Sequence, residues 1–179
     1  MKILDLGCGS HKHKIENTEV IGLDFFDNSQ ADILCDLEKG ILPFEDNEFD
    51  GIITTHTLEH IRNVIPLIKE MWRVTKPNGI INIEVPYFAS SLAHSSIDHV
   101  RFFSYTSFDP YKADNPYHLI WKPVTFEVNA TYEFSGHFGL RTIGLIVDAF
   151  TNTFPRIYQR LFAFILPTEI IKFELKVIK

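Results

Sequence analysis

The chain has little of what marks an exported, membrane-spanning or nucleic-acid-binding protein. Only two cysteines, Cys8 and Cys35, stand in 179 residues. That is too few for a disulfide framework, and no N-terminal stretch has the charged-then-apolar build of a signal peptide. The cytosol is therefore the expected compartment. No apolar run approaches the roughly 20 residues that an integral membrane helix needs. Basic residues are in short supply too: 17 Lys and Arg against 23 Asp and Glu leave a net charge of −6. Sequence-blind nucleic-acid binding needs a concentrated basic surface, so that class is excluded. Neither an internal repeat nor a low-complexity tract is present, and Asn129-Ala130-Thr131 fits a glycosylation sequon only by accident in a chain without an export signal. A last absence is local. A strand followed by Gly7 and Gly9 opens the dinucleotide fingerprint G-x-G-x-x-G, yet Lys12 fills the third glycine's place.

What is present is enough apolar content, 45%, for one globular domain over residues 1–179. The apolar run Lys2–Leu6 stops at Gly7-Cys8-Gly9-Ser10, where glycine without a Cβ can take positive φ and let the backbone lie against a flat polar ligand. Asp5 sits two residues ahead of the first glycine. A second run, Glu19–Asp24, ends in an acid 17 residues after Gly7. In a parallel βαβ unit that place is the carboxyl end of the neighbouring strand, where a carboxylate can accept both ribose hydroxyls of an adenosine; the plainer alternative is a turn cap. The connection between these two runs is barely the dozen or so residues a parallel crossover needs, so the usual first helix is expected to be very short or absent. His11-Lys12-His13-Lys14 within it reads as a solvated loop rather than a metal tract.

Ala31–Leu37 is expected as a third strand with Asp36 near its end, and Gly51–Thr55 as a fourth whose unbroken apolar centre suits a strand buried on both faces. Ile61, Val64, Ile65, Ile68, Met71 and Trp72 then recur at helical spacing, with Pro66 tolerated in the first turn and Lys76-Pro77-Asn78-Gly79 closing the helix. Ile80–Val85, ended by Pro86, is the fifth strand. Strands alternating with helical or loop crossovers predict a doubly wound α/β sheet.

In order along the chain, Asp5-Leu6-Gly7-Cys8-Gly9, Asp24, Asp36-Leu37, Leu42-Pro43-Phe44 with Phe49-Asp50, Leu58-Glu59-His60 and Arg73-Val74-Thr75-Lys76-Pro77-Asn78-Gly79 resemble the successive motifs of the class I S-adenosylmethionine-dependent methyltransferases of the type 11 group. The resemblance covers roughly residues 2–86, about half the chain. It implies a Rossmann-like, mostly parallel seven-stranded sheet with an antiparallel last strand, and S-adenosyl-L-methionine as cofactor. It also implies the site: Gly7 and Gly9 beside the methionine part, with Asp5 and Cys8 of the same motif among the cofactor-binding residues, Asp24 on the ribose hydroxyls, Asp36 near the adenine amine and Leu37 on the adenine ring; His56 and Thr57, in the loop after the fourth strand, are expected to line the cleft. The alternative function is a methyltransferase-shaped binding or scaffold protein without turnover. An NAD enzyme is disfavoured by Lys12 and by the second acid, Asp36.

His56-Thr57-Leu58-Glu59-His60 also fits H-x-x-E-H, a zinc-protease pattern that needs both histidines on one helix face. His56 directly follows a buried strand, so the two imidazoles need not share a face, and no metal is expected. Residues 87–125 form a long segment dense in aromatics and histidines, including Tyr117, His118 and Trp121. A connection of that length is usually functional, and it is the candidate lid and acceptor-binding insert. Relatives carry helices ahead of the first strand that help cover the cofactor, whereas here only Met1 and Lys2 precede Ile3, so the insert or a partner subunit is expected to supply the cover. Within the insert, His99 is the candidate base, supported by Asp98 or His94. Arg101 is placed to hold an anionic acceptor and Tyr87 to form the cleft wall. The resemblance suggests a small-molecule or sugar-containing (glycan) acceptor and O- or N-methylation. Val124–Phe134 is read as strand six, with Phe126, Val128, Ala130 and Tyr132 on one face, and Ile170–Ile178 as strand seven. Leu140–Leu166 is read as mostly helical, broken at Pro155, its apolar surface serving the core or a homodimer.

Overall fold

The computed structural model describes residues 1–116, 122–134 and 141–179. Tyr117, His118, Trp121 and Leu140 lie outside the described residues. Seven strands form one mixed sheet, β1 Lys2–Leu6, β2 Glu19–Asp24, β3 Ile33–Leu34, β4 Phe49–Thr55, β5 Thr75–Pro86, β6 Thr125–Glu133 and β7 Ile170–Ile178. Their spatial order is β3-β2-β1-β4-β5-β7-β6, the order of the class I methyltransferase fold. The first five strands pair in parallel, and β7 runs antiparallel between β5 and β6. The order reverses at β1, so the carboxyl ends of β1, β2 and β4 open on one crevice, the usual ligand position in such sheets.

Helix α1, Val64–Val74, follows β4 and turns Val64, Leu67, Ile68, Met71 and Val74 inward, the three-and-four spacing of one helical face. It ends at Thr75, whose hydroxyl donates to the Met71 carbonyl at 2.7 Å. The chain then enters β5 at once. Lys76–Gly79 does not lengthen the helix end but bulges out of β5, because Phe49 pairs with Thr75 and Gly51 with Ile80. Asn78 takes a φ of 63° there. β3 is shorter than the apolar pattern suggests, since Asp32 turns its carboxylate to the Gly22 N–H (2.7 Å) and the Lys12 ammonium, and Asp36 caps a 3₁₀ turn, Leu37–Lys39. Between β1 and β2 the described chain makes turns and no helix, held by the Lys12–Asp32 ion pair at 2.8 Å.

Leu4, Leu6, Ile52, Ile81, Ile83 and Val85 join the inward face of α1 in one core. The far end of that core is aromatic and comes from the insert: Phe108 packs edge-on to Phe173 at 4.8 Å and Tyr111 meets Phe126 at 6.0 Å. Phe103, Phe108 and Tyr111 thus belong to the core. The opposite face of β5, β7 and β6 carries polar residues among the described part of the chain, with Lys172 bridging Glu84 at 3.1 Å and Glu133 at 2.5 Å. The sheet is covered less evenly than a doubly wound pattern implies, and the alternation Ile81-Asn82-Ile83-Glu84-Val85 records that difference. Helix α2, Arg141–Thr153, ends before Pro155, after which Pro155–Ile157 runs into a π-helical turn, Tyr158–Phe162. Among the described residues no helix is long and apolar enough to cross a membrane.

Candidate cofactor cleft

A cleft of about 560 Å³ opens at the carboxyl edge of the sheet, lined by Gly7, Gly9, Asp24, Phe25, Phe26, Asp36, Leu37, Glu38, His56, Thr57, His60, Ile61 and Asp98. The strand-end residues reach it because each parallel strand stops here and turns. Gly7 and Gly9 both have positive φ, 76° and 53°. They serve different ends. A Cβ on Gly7 would lie 2.2 Å from the Thr57 hydroxyl oxygen, so this glycine lets the first turn close against the β4 loop. A Cβ on Gly9 would meet nothing within 4 Å, so it would project into the open cleft where a ligand needs the room.

Asp24 is buried at the end of β2, and its carboxylate organises the floor. Oδ2 accepts from the Gly9 N–H at 2.8 Å, and Oδ1 accepts from the N–H groups of Phe25 (2.7 Å) and Phe26 (3.1 Å). The turn-cap and ribose readings of this residue are compatible, since a carboxylate offers about four lone-pair sites and three are taken. Asp36 accepts from the Glu38 N–H at 3.0 Å as the cap of its 3₁₀ turn, with Leu37 buried beside it. Asp5 and Cys8 do not line the cleft. Asp5 lies beneath it, 1% exposed, and accepts from the His13 N–H at 2.7 Å and faces His13 Nδ1 at 3.0 Å, which pins the β1–β2 loop in place of a helix. The Cys8 thiol is pushed up to about 11, first by burial and then by the Asp5 and Asp24 carboxylates.

His56 sits at φ 50° in the turn after β4. Its N–H donates to the Glu84 carbonyl at 2.9 Å and its Nδ1 faces Glu59 Oε1 at 3.2 Å. The Glu59 carboxylate holds the imidazole pKa above its ordinary value, with burial opposing and Glu84 adding. Glu59 also ties the insert to the cleft, since its backbone carbonyl accepts from Val100 (2.8 Å) and Arg101 (3.0 Å).

The insert residues fall differently from expectation. His94 puts Nε2 3.1 Å from the Phe88 carbonyl, and His99 puts Nδ1 3.0 Å from the Ala93 carbonyl, so each spends one ring nitrogen on the loop's own backbone. Neither lines the cleft. The histidines that do are His56 and His60, the latter with Asp98 Oδ2 3.1 Å from its Nδ1. Arg101 directs its guanidinium at the carbonyls of Ile61 and Arg62, which fastens the insert. Tyr87 is fully buried, its ring against Phe88, Tyr132 and Tyr158, and burial raises its phenol pKa. It belongs to the core because the chain crosses into the insert under β7, where the Tyr87 N–H donates to the Glu169 carbonyl at 2.9 Å. Phe25 and Phe26, exposed at the cleft mouth with ring centroids 3.8 Å apart, were not singled out by pattern. The one signal was two aromatics straight after the strand-two acid.

Residues 4–83 match the family model of the methyltransferase domain. The chain is 35% identical to a demethylmenaquinone methyltransferase of Staphylococcus carnosus over 44% of its own length and 40% of the relative's. To the enzyme of the same name in Lactococcus lactis it is 31% identical, over 49% and 43%. It spans about two-fifths of the length of these curated relatives. Among solved structures it is similar to a SAM-dependent methyltransferase from Archaeoglobus fulgidus, with a TM-score of 0.65, 16% identity, and coverage of 98% of this chain and 85% of that one. It is also similar to a phosphoethanolamine N-methyltransferase 2 of Haemonchus contortus in complex with phosphomonomethylethanolamine and S-adenosylhomocysteine, at TM-score 0.61, 14% identity, and 99% and 48% coverage.

Proposed function

We propose that the chain is an S-adenosylmethionine-dependent methyltransferase acting on a small molecule, since residues 4–83 match the family model of the methyltransferase domain. The observation that carries this is the cleft itself: open space at Gly9 beside two strand-end carboxylates, Asp24 and Asp36, with Leu37 buried next to the second. In this reading Gly7 and Gly9 pass the methionine part, Asp24 takes a ribose hydroxyl with its remaining lone pair, and Asp36 and Leu37 face the adenine. Phe25 and Phe26 supply apolar surface at the mouth. Asp5 and Cys8 support the glycine turn from beneath. The small-molecule class draws on the relatives' names and on the phosphomonomethylethanolamine complex of the Haemonchus contortus protein.

Methyl transfer from a sulfonium is an in-line displacement, so the protein's main task is to hold acceptor and methyl group in line and to keep water out. The 94–101 part of the insert stands at the cleft rim, fastened through Glu59 and Arg101, and we assign the acceptor side to it. A thermal-shift panel tests the reading. S-adenosylhomocysteine at about 100 times its dissociation constant adds about 2.7 kcal/mol to the folded state, or roughly 5–11 °C in Tm for a domain of this size. NAD and ATP should shift it little. Stabilisation by NAD with none by S-adenosylhomocysteine would overturn the proposal, and cofactor binding without turnover on any acceptor would favour the scaffold alternative.

A further inference from the structure

The cleft rim holds a cluster of side chains that cofactor binding does not use. Glu59, on the 3₁₀ turn Leu58–His60, is 1% exposed, and its Oε2 is enclosed without a hydrogen-bond partner among the described residues while Oε1 serves His56. A buried carboxylate oxygen without a hydrogen-bond partner is costly even where the other oxygen is paired, so this one has room for a further ligand. Two of its neighbours are metal-ligating types. Glu59, His60 and His99 each offer a ligand atom, all within 4.8 Å of one another. The His60 and His99 rings meet edge to face at 4.7 Å. His99 Nδ1 lies 3.0 Å from the Ala93 carbonyl, which fixes the proton on that nitrogen and leaves Nε2 as a lone pair, the backbone-oriented tautomer that metal-bound histidines adopt. His60 Nδ1 is buried without a hydrogen-bond partner among the described residues and lies 3.1 Å from Asp98 Oδ2.

We propose that Glu59, His60 and His99, with a water in the fourth position, form a zinc-type divalent metal site that clamps the insert to the cleft rim. Two imidazoles and one carboxylate are a borderline set that suits Zn²⁺ over Mg²⁺ or Ca²⁺. Ligand atoms about 2.0–2.1 Å from a tetrahedral zinc stand roughly 3.4 Å apart, so closure needs side-chain shifts of about an ångström. The partners join two stretches distant in sequence, the turn after β4 and the 94–101 segment, which the H-x-x-E-H spacing does not report. Ligation takes the His99 lone pair that base catalysis would need, so a filled site leaves His99 positioning the insert and not accepting a proton.

The test is isothermal titration of chelator-treated full-length protein with Zn²⁺ alone, with X-ray absorption on the loaded form. One zinc per chain is expected, with nitrogen and oxygen ligands at about 2.0–2.1 Å. His60→Ala and His99→Ala should each weaken binding by about 100-fold or more, since even an outer-sphere partner is worth about 10- to 100-fold. Both positions are partly exposed, so circular dichroism should show folded variants where Glu59→Gln fails to fold. His94→Ala and the double variant His11→Ala/His13→Ala should bind as the unmodified protein does. Absence of saturable zinc binding would overturn the proposal. So would affinity that survives His60→Ala with His99→Ala but is lost with His11 and His13, or a protonated-carboxyl infrared band at Glu59 that zinc leaves unchanged.

Discussion

Replacing Asp24 by alanine separates the two jobs proposed for one carboxylate. In the ligand-free protein the change removes the acceptor for three N–H groups, those of Gly9, Phe25 and Phe26. All three bonds are partly buried, but they lie at the mouth of the cleft beside the exposed Phe25 and Phe26, where water can replace part of what is lost. The stability loss should therefore be close to that of one hydrogen bond to a charged group, about 1.5–3 kcal/mol. For a domain of this size that is a fall of roughly 3–12 °C in Tm, at about 2–4 °C per kcal/mol. If Asp24 also takes a ribose hydroxyl, S-adenosylhomocysteine affinity falls by a similar further amount, roughly 10- to 150-fold. Scanning fluorimetry without ligand measures the first effect, and calorimetric titration below the variant's Tm measures the second. Asp24→Asn, which keeps an oxygen for the Phe25 and Phe26 N–H groups, should recover part of the stability and less of the affinity. A variant that loses the stability but binds S-adenosylhomocysteine with unchanged affinity would refute the ribose role and leave Asp24 as a turn cap.

The glycines should part company: Gly7→Ala, whose Cβ would overlap Thr57, should destabilise the fold, while Gly9→Val should stay folded by circular dichroism and lose cofactor binding in titration. A Gly9→Val protein that binds normally would show that Gly9 does not face the ligand. Glu70 is held below its ordinary pKa by the Arg73 guanidinium, with its carboxylate also accepting from the Leu42 N–H at 2.9 Å. A depressed folded-state pKa contributes stability above the unfolded value of 4.5 and loses it as pH falls through the folded value. Glu70→Gln should thus lower Tm at pH 7, with a difference that shrinks below about pH 4.5; a gap that stays constant with pH would contradict the ion-pair account. Cys8, buried and with its pKa pushed up to about 11, should react slowly with thiol reagents at neutral pH and faster as pH rises. Rapid labelling at pH 7 would mean that the glycine turn opens.

The half of the chain that builds the parallel sheet was legible because its signals are local. Apolar runs, the glycine pair, and acids at strand ends follow from residue type and short spacing alone, and the missing first helix followed from a connection too short to hold one. The alternation in β6 and β7 likewise named their buried faces. The bulge at Lys76–Gly79 was not legible, because it depends on which β4 residue lies opposite. The insert was misread in part for the same reason: an aromatic such as Tyr87 or Phe108 looks alike in a sequence whether it faces a ligand or a core, and only packing against Tyr132, Tyr158 and Phe173 decides. So too for the histidines. Spacing paired His56 with His60 and His94 with His99, while the fold brings His60 to Asp98 and His99 through backbone bonds from Val100 and Arg101 to the Glu59 carbonyl. Sequence determined where β1, β2 and β4 end and which acids stand at or just past the ends of β2 and β3; tertiary structure alone decided which side chains from distant segments share a rim, because such contacts depend on chain closure and not on local spacing.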